Sequence, residues 1–309
     1  MQLLKKQDEK TQFIDQKLPK FLVAEKQRTL LKSISVSGIG LHTGNKVSMT
    51  LSPAPPNTGY TFRLNKKGNL INIRALYSNV KSTELCTLIS DDKGNSISTV
   101  EHILSALYGL EVDNVFIDVD SNEIPVCDGS SKVFVNLLKN NGFQTQNLFK
   151  NFIKIKKIIE VNDGDKIARV TPFDQTMITC DVEYSHKFIG KQSISLALTP
   201  ELYETQISSA RTFGFMKDVE ELKEKGLIKG GSLDNAIVLD DNKVLNEGGL
   251  RFTDEFVRHK VLDFIGDISL AGNRIIGSFF TSHTGHELNI KLLKAIFSSK
   301  ENWELVSSN

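Results

Sequence analysis

The 309-residue chain lacks most of the features that mark specialised proteins. Its 3 cysteines, Cys86, Cys127 and Cys180, lie far apart with no CxxC pair, which excludes a disulfide framework and a cysteine zinc site and suits a reducing compartment. Neither charge dominates: 38 Lys+Arg stand against 37 Asp+Glu, a net charge of +1, so broad nucleic-acid binding is not expected. No stretch approaches the ~18 consecutive apolar residues of a transmembrane segment. Residues 1–30 carry one Arg, no Ser and four acids (Asp8, Glu9, Asp15, Glu25), and their longest apolar run is FLVA at 21–24. A secretory leader needs a longer apolar centre, and a mitochondrial one is poor in acids. Residues 1–30 therefore read as a solvated N-terminal extension. The expected location is cytoplasmic, or organellar if the source is eukaryotic.

What remains is globular, with 39% hydrophobic and 24% charged residues, and long enough for two domains at ~100–200 residues each. After a glycine-bearing loop at 38–44, Val47, Met49 and Leu51 alternate with polar residues as in a half-buried strand. Strands are also expected at 71–77 and 114–119, and helices at 98–110 and 133–138. A second cycle follows the polar stretch 139–150. It has strands at 153–161, 168–170 and 177–184, helices near 200–208 and 217–225, and a strand at 236–239. A long helix over 254–270, a strand at 274–280 and a helix near 287–298 complete it. Strands first and then helices, twice over, predict an α+β fold of two similar domains, residues 31–148 and 149–309.

Three places could carry chemistry. Glu101 and His102 open the first helix. Their bland readings are a capping box, since residues 98–101 (STVE) fit S-x-x-E, and a surface histidine. In the long helix, His259, Asp263 and Asp267 are spaced i, i+4, i+8 and form one polar stripe opposite Phe256, Val257, Val261, Phe264, Ile265 and Ile268. The bland reading there is a solvated face with a His–Asp pair. Gly266 beside the stripe argues against it, because a helical glycine is costly unless something must approach closely. Gly285-His286 opens the last helix, where an imidazolium would need a carboxylate such as Asp267 nearby. His42, His186 and His283 have no comparable sequence partner.

His102, His259 and Asp263 can be assembled into one metal site. Two His and one carboxylate leave an open position, the donor set of a catalytic zinc. The chain lacks HExxH, which excludes the ordinary zinc-protease helix. The same donors also make the facial triad of non-haem Fe(II) oxygenases, which stays open on the residues alone.

With these residues in view, the sequence resembles the UDP-3-O-acyl-N-acetylglucosamine deacetylase family, zinc amidases of lipid A biosynthesis. The matching segments are 38–44 (GIGLHTG), 98–102 (STVEH), Asp113-Asn114, 123–130 (EIPVCDGS) and 210–215 (ARTFGF). They continue with 230–236 (GGSLDNA), 246–267 (NEGGLRFTDEFVRHKVLDFIGD) and 285–293 (GHELNIKLL). They run in the family's order over about residues 31–297.

The resemblance implies mainly antiparallel sheets packed on helices, with the helices of the two domains facing each other in a sandwich. It implies zinc held by His102, His259 and Asp263, with Fe2+ as a replacement. Glu101 becomes the general base and His286 the electrostatic or general-acid partner, oriented and kept charged by Asp267. Thr212 helps hold the oxyanion. Lys260 contacts the substrate, Lys166 binds the diphosphate, and Tyr184 stands where the family usually stacks a Phe on uracil. Leu85, Cys86, Phe215, Val219 and Leu233 would line an acyl passage. The implied reaction is hydrolysis of the N-acetyl group of an acylated UDP-amino sugar, a small-molecule substrate, by a protein with no nucleic-acid partner. The oligomeric state is open, with a monomer expected. A binding protein without turnover would be expected to have lost Glu101 or a ligand, and none is lost.

Overall fold

A computed structural model describes residues 11–13, 24–66 and 68–308. The first sheet is built from Ile34–Ile39 (β1), Lys46–Pro53 (β2), Tyr60–Lys66 (β3), Asn69–Arg74 (β4) and, after helix Glu101–Gly109 (α1), Val115–Val119 (β5). Its order is β1-β2-β5-β3-β4, antiparallel except for β5 on β3. The alternation seen in β2 is the buried set: Val47, Met49 and Leu51 all face the core. Helix Lys132–Asn141 (α2) follows.

The second half repeats the plan on a larger sheet. Asn151–Ile155 (β6), Ile159–Asp163 (β7), Lys166–Thr171 (β8), Thr176–Glu183 (β9) and Lys191–Ala197 (β10) come first. Then come helices Met216–Glu224 (α3) and Glu255–Ile268 (α4), strand Arg274–Ser282 (β11), helix His286–Phe297 (α5) and strand Trp303–Ser307 (β12). The long β11 is the hub: β9 runs parallel to it, β6 pairs parallel with its first half and β8 antiparallel with its second. The architecture is α+β, as expected, with more parallel pairing in this sheet than its sequence suggests.

Lys26–Leu30 departs from the expectation of a solvated extension. It is a strand paired with Phe143–Phe149, and Leu30 is fully buried. The buried Thr29 hydroxyl donates to the Asn114 carbonyl and accepts from the Ala54 N–H. Thr11–Phe13 adds a short parallel strand to β10. The rest of the extension, residues 1–10 and 14–23, lies outside the described residues.

Two helices position the site. Every residue of α1 is buried, and in α4 all but Lys260 are. The polar residues expected to face water on either helix are therefore enclosed. The two helices cross at Gly266, where a Cβ would stand 2.2 Å from the Glu101 carbonyl oxygen. That close approach is the reason for a glycine inside a helix.

Candidate active site

The capping-box reading of Glu101 fails in the structure. Thr99 adopts a left-handed φ of 60°, the helix is capped at Val100, and no side chain makes a capping hydrogen bond there. The Ser98 N–H and hydroxyl instead donate to the Asn122 carbonyl. Glu101 is released from capping and lines a cleft of about 390 Å³ between α1, α4 and α5.

Across the cleft, α4 presents His259 and Asp263 one turn apart, and α1 supplies His102. Ligand atoms of these three residues lie within 4.8 Å of one another, and all three are buried. Asp263 Oδ1 is 3.3 Å from His259 Nε2 and 3.6 Å from His102 Nε2. Donors bound at ~2.0–2.1 Å around a tetrahedral zinc stand roughly 3.3–3.5 Å apart, so the spacing fits such an ion. Protonation fits as well. The Ala210 carbonyl can only accept, so His259 Nδ1, 3.1 Å away, carries the proton and Nε2 keeps its lone pair. Burial lowers the His259 pKa to about 3 against the opposing pull of Asp263, leaving a neutral imidazole. Burial works against ionisation of Asp263, but its charged surroundings, Lys260 at 3.1 Å among them, outweigh it and hold the carboxylate well below its ordinary range. Buried His102 Nδ1 has no hydrogen-bond partner. His259 and Asp263 are thus held in the protonation states a divalent cation requires.

Beside them stands a second charged group. His286 Nδ1 donates to Asp267 Oδ2 at 2.8 Å, and its Nε2 is 3.7 Å from Glu101 Oε1. Burial alone would lower the His286 pKa; Asp267 and then Glu101 reverse this and raise it to about 10. Glu101 itself is raised, chiefly by burial, against the pull of His286 and His102.

Two residues that the sequence reading missed hold this group. The Thr87 hydroxyl donates to Asp267 Oδ1 at 2.6 Å while its N–H donates to Glu101 Oε2 at 3.1 Å. Asn289 Nδ2 donates to Asp267 Oδ2 at 2.8 Å. Asn289 follows His286 by three residues on one helix face, a spacing that was visible; nothing near Thr87 marked it.

Most other expected residues gather here. Thr212 lines the cleft, Lys260 Nζ is 3.1 Å from Asp263 Oδ2, and Lys166 stands on the rim with Asp163 and Lys291. A second, apolar cavity of about 430 Å³ opens from the first and is lined by Leu85, Phe215, Val219 and Leu233. Cys86, expected on that wall, is buried and does not line the cavity, and burial drives its thiol up to about 12. Tyr184 is not in the cleft either. It lines a neighbouring cavity with His186 and Phe215, its ring edge-on to Phe213.

Comparison with known proteins shows the family. Residues 27–298 match the family described as UDP-3-O-acyl N-acetylglycosamine deacetylase. The chain is 49% identical over 284 residues to the UDP-3-O-acyl-N-acetylglucosamine deacetylase of Haemophilus influenzae (strain 86-028NP), covering 91% of this chain and 93% of that protein. The Pasteurella multocida (strain Pm70) protein of the same name is likewise 49% identical with the same coverage. That of Vibrio vulnificus (strain YJ016) is 46% identical over 90% of this chain and 92% of its own length. The chain belongs to the UDP-3-O-acyl N-acetylglycosamine deacetylase family.

Proposed function

We propose that the chain hydrolyses the N-acetyl group of UDP-3-O-acyl-N-acetylglucosamine to the free amine and acetate, the committed step of lipid A biosynthesis, with zinc held by His102, His259 and Asp263. The observation that carries this reading is the buried His102–His259–Asp263 group facing Glu101 and a charged His286 in one cleft. The substrate comes from the name its relatives carry. When bound, zinc polarises the acetyl carbonyl and lowers the pKa of water toward ~7. Iron(II) suits the same donors and is the replacement ion.

The chain's own residues supply the rest. Glu101, more basic than an ordinary carboxylate, takes the proton of the attacking water. His286, kept protonated by Asp267, donates to the oxyanion as it forms, with the Thr212 hydroxyl beside it. As the C–N bond breaks, the amine takes a proton from His286 or Glu101, which stand 3.7 Å apart. Lys260 and Lys166 give the diphosphate its cationic partners, and the Tyr184 ring offers a face for uracil from the neighbouring cavity. The apolar cavity takes the acyl chain, at ~0.8 kcal/mol per buried methylene. In this reading the two α+β units, residues 31–148 and 149–309, contribute Glu101, His102 and Leu85 from one side and His259, Asp263, Asp267 and His286 from the other. A cytoplasmic location belongs to it too, supported by three free cysteines.

The test is acetate release from UDP-3-O-acyl-N-acetylglucosamine with and without a chelator. Release that stops on chelation and returns with zinc is expected. No release from zinc-loaded protein across several acyl lengths would contradict the reading.

A further inference from the structure

One buried polar side chain has no place in the mechanism. His42 belongs to the loop after β1 and is only 9% exposed, yet neither ring nitrogen has a hydrogen-bond partner. Buried imidazole nitrogens are ordinarily paired. The loop does not leave the ring there by slackness. The fully buried Glu123 carboxylate accepts from the His42 N–H at 2.7 Å and from the Thr43 N–H and hydroxyl at 2.9 and 2.6 Å. The backbone under His42 is clamped, and the side chain is presented in one direction.

That direction is the junction of the two cavities. The catalytic cleft and the apolar passage share five lining residues, Leu41, His42, Leu85, Thr212 and Phe213. Two of them are polar, and Thr212 already faces the reacting amide in the proposed mechanism. Burial lowers the His42 pKa although Glu123 opposes it, so the ring is neutral and offers one N–H.

The substrate has a polar group between these two sites. Its acetamide reacts on one sugar carbon, and its acyl chain leaves from the adjacent carbon through an ester, which puts the ester carbonyl at the entrance to the passage. We infer that His42 is a specificity-determining residue that recognises this 3-O-ester by donating a hydrogen bond from its ring to the ester carbonyl oxygen. The inference rests on the deacetylase reading and adds to it how the enzyme tells an acyl ester from an alkyl substituent.

The test compares kcat/KM for UDP-3-O-acyl-N-acetylglucosamine with that for its 3-O-alkyl ether of equal chain length, in which the carbonyl is a methylene, acetate release being the readout for both. Wild-type protein is expected to favour the ester about tenfold. His42→Leu is expected to bring the ratio near one, by losing ester rate, while His42→Gln, which keeps an N–H donor, restores part of the preference. The same molecules process both substrates, so the ratio is independent of how much of a variant folds. An unchanged ratio in His42→Leu, or no ester preference in the wild type, overturns the proposal. Failure of the wild type to release acetate from the ester would instead overturn the deacetylase reading.

Discussion

The walls of the catalytic cleft and of the apolar passage are built in opposite ways. On the cleft side, α4 is buried along its length and Asp267 alone accepts from Thr87, His286 and Asn289. On the passage side, α3 has no buried residue, and Met216 and Leu233 leave about half their surface to solvent. A helix with few buried contacts belongs to the less stable part of a fold. In the proposed reading the reacting groups are fixed by packing and hydrogen bonds, while the surface assigned to the acyl chain can adjust.

Four substitutions would break or sharpen this contrast. The largest effect is expected from Asp263→Ala, which removes the carboxylate between His102 and His259; metal analysis and acetate release should both fall to background. Next is Gly266→Ala. Its Cβ would meet the Glu101 backbone at 2.2 Å and force α1 and α4 apart, at a cost of about 1–3 kcal/mol for overpacking. A lower Tm together with weaker metal retention should follow, since the proposed ligands come from both helices.

Asp267→Asn keeps the shape of the side chain but removes the charge that raises His286. The wild-type pH–kcat profile should lose activity below the raised pKa of Glu101, where the base is protonated, and above about 10, where His286 loses its proton. In the variant the alkaline limb should move to lower pH, with metal content unchanged. The smallest effect is expected on the passage. Val219→Ala should raise KM for a long-chain substrate about three- to tenfold and leave kcat, metal content and Tm near wild type. If Val219→Ala lowered kcat or Tm as much as Asp267→Asn does, the contrast between a fixed cleft and an adjustable passage would be wrong.

How much of this was legible depended on whether the signal was local. The i, i+4, i+8 stripe of His259, Asp263 and Asp267 lies on one helix, and the penalty attached to Gly266 pointed to the close approach found there. The meeting of α1 with α4, which brings His102 to that stripe, is a tertiary event that no local pattern encodes. Locally, residues 98–101 even pointed the other way, toward a cap. A left-handed Thr99 breaks that pattern and frees Glu101 for the cleft. Thr87 acts through its backbone N–H as well as its hydroxyl, and a backbone donor has no sequence signature. Cys86 was assigned to the passage by likeness to relatives, but it is buried and does not line that cavity. Strand Lys26–Leu30 escaped for the same reason as α1–α4: its partner, Phe143–Phe149, lies at the far end of the first half.

In the proposed mechanism adjacent residues of one helix divide the work, His102 for the metal and Glu101 for the proton. Metal content and turnover of Glu101→Ala separate the two roles. The variant is expected to keep its bound metal while kcat falls by about 10²–10⁴. A variant that keeps its turnover, or that loses its metal along with it, would rule this division out.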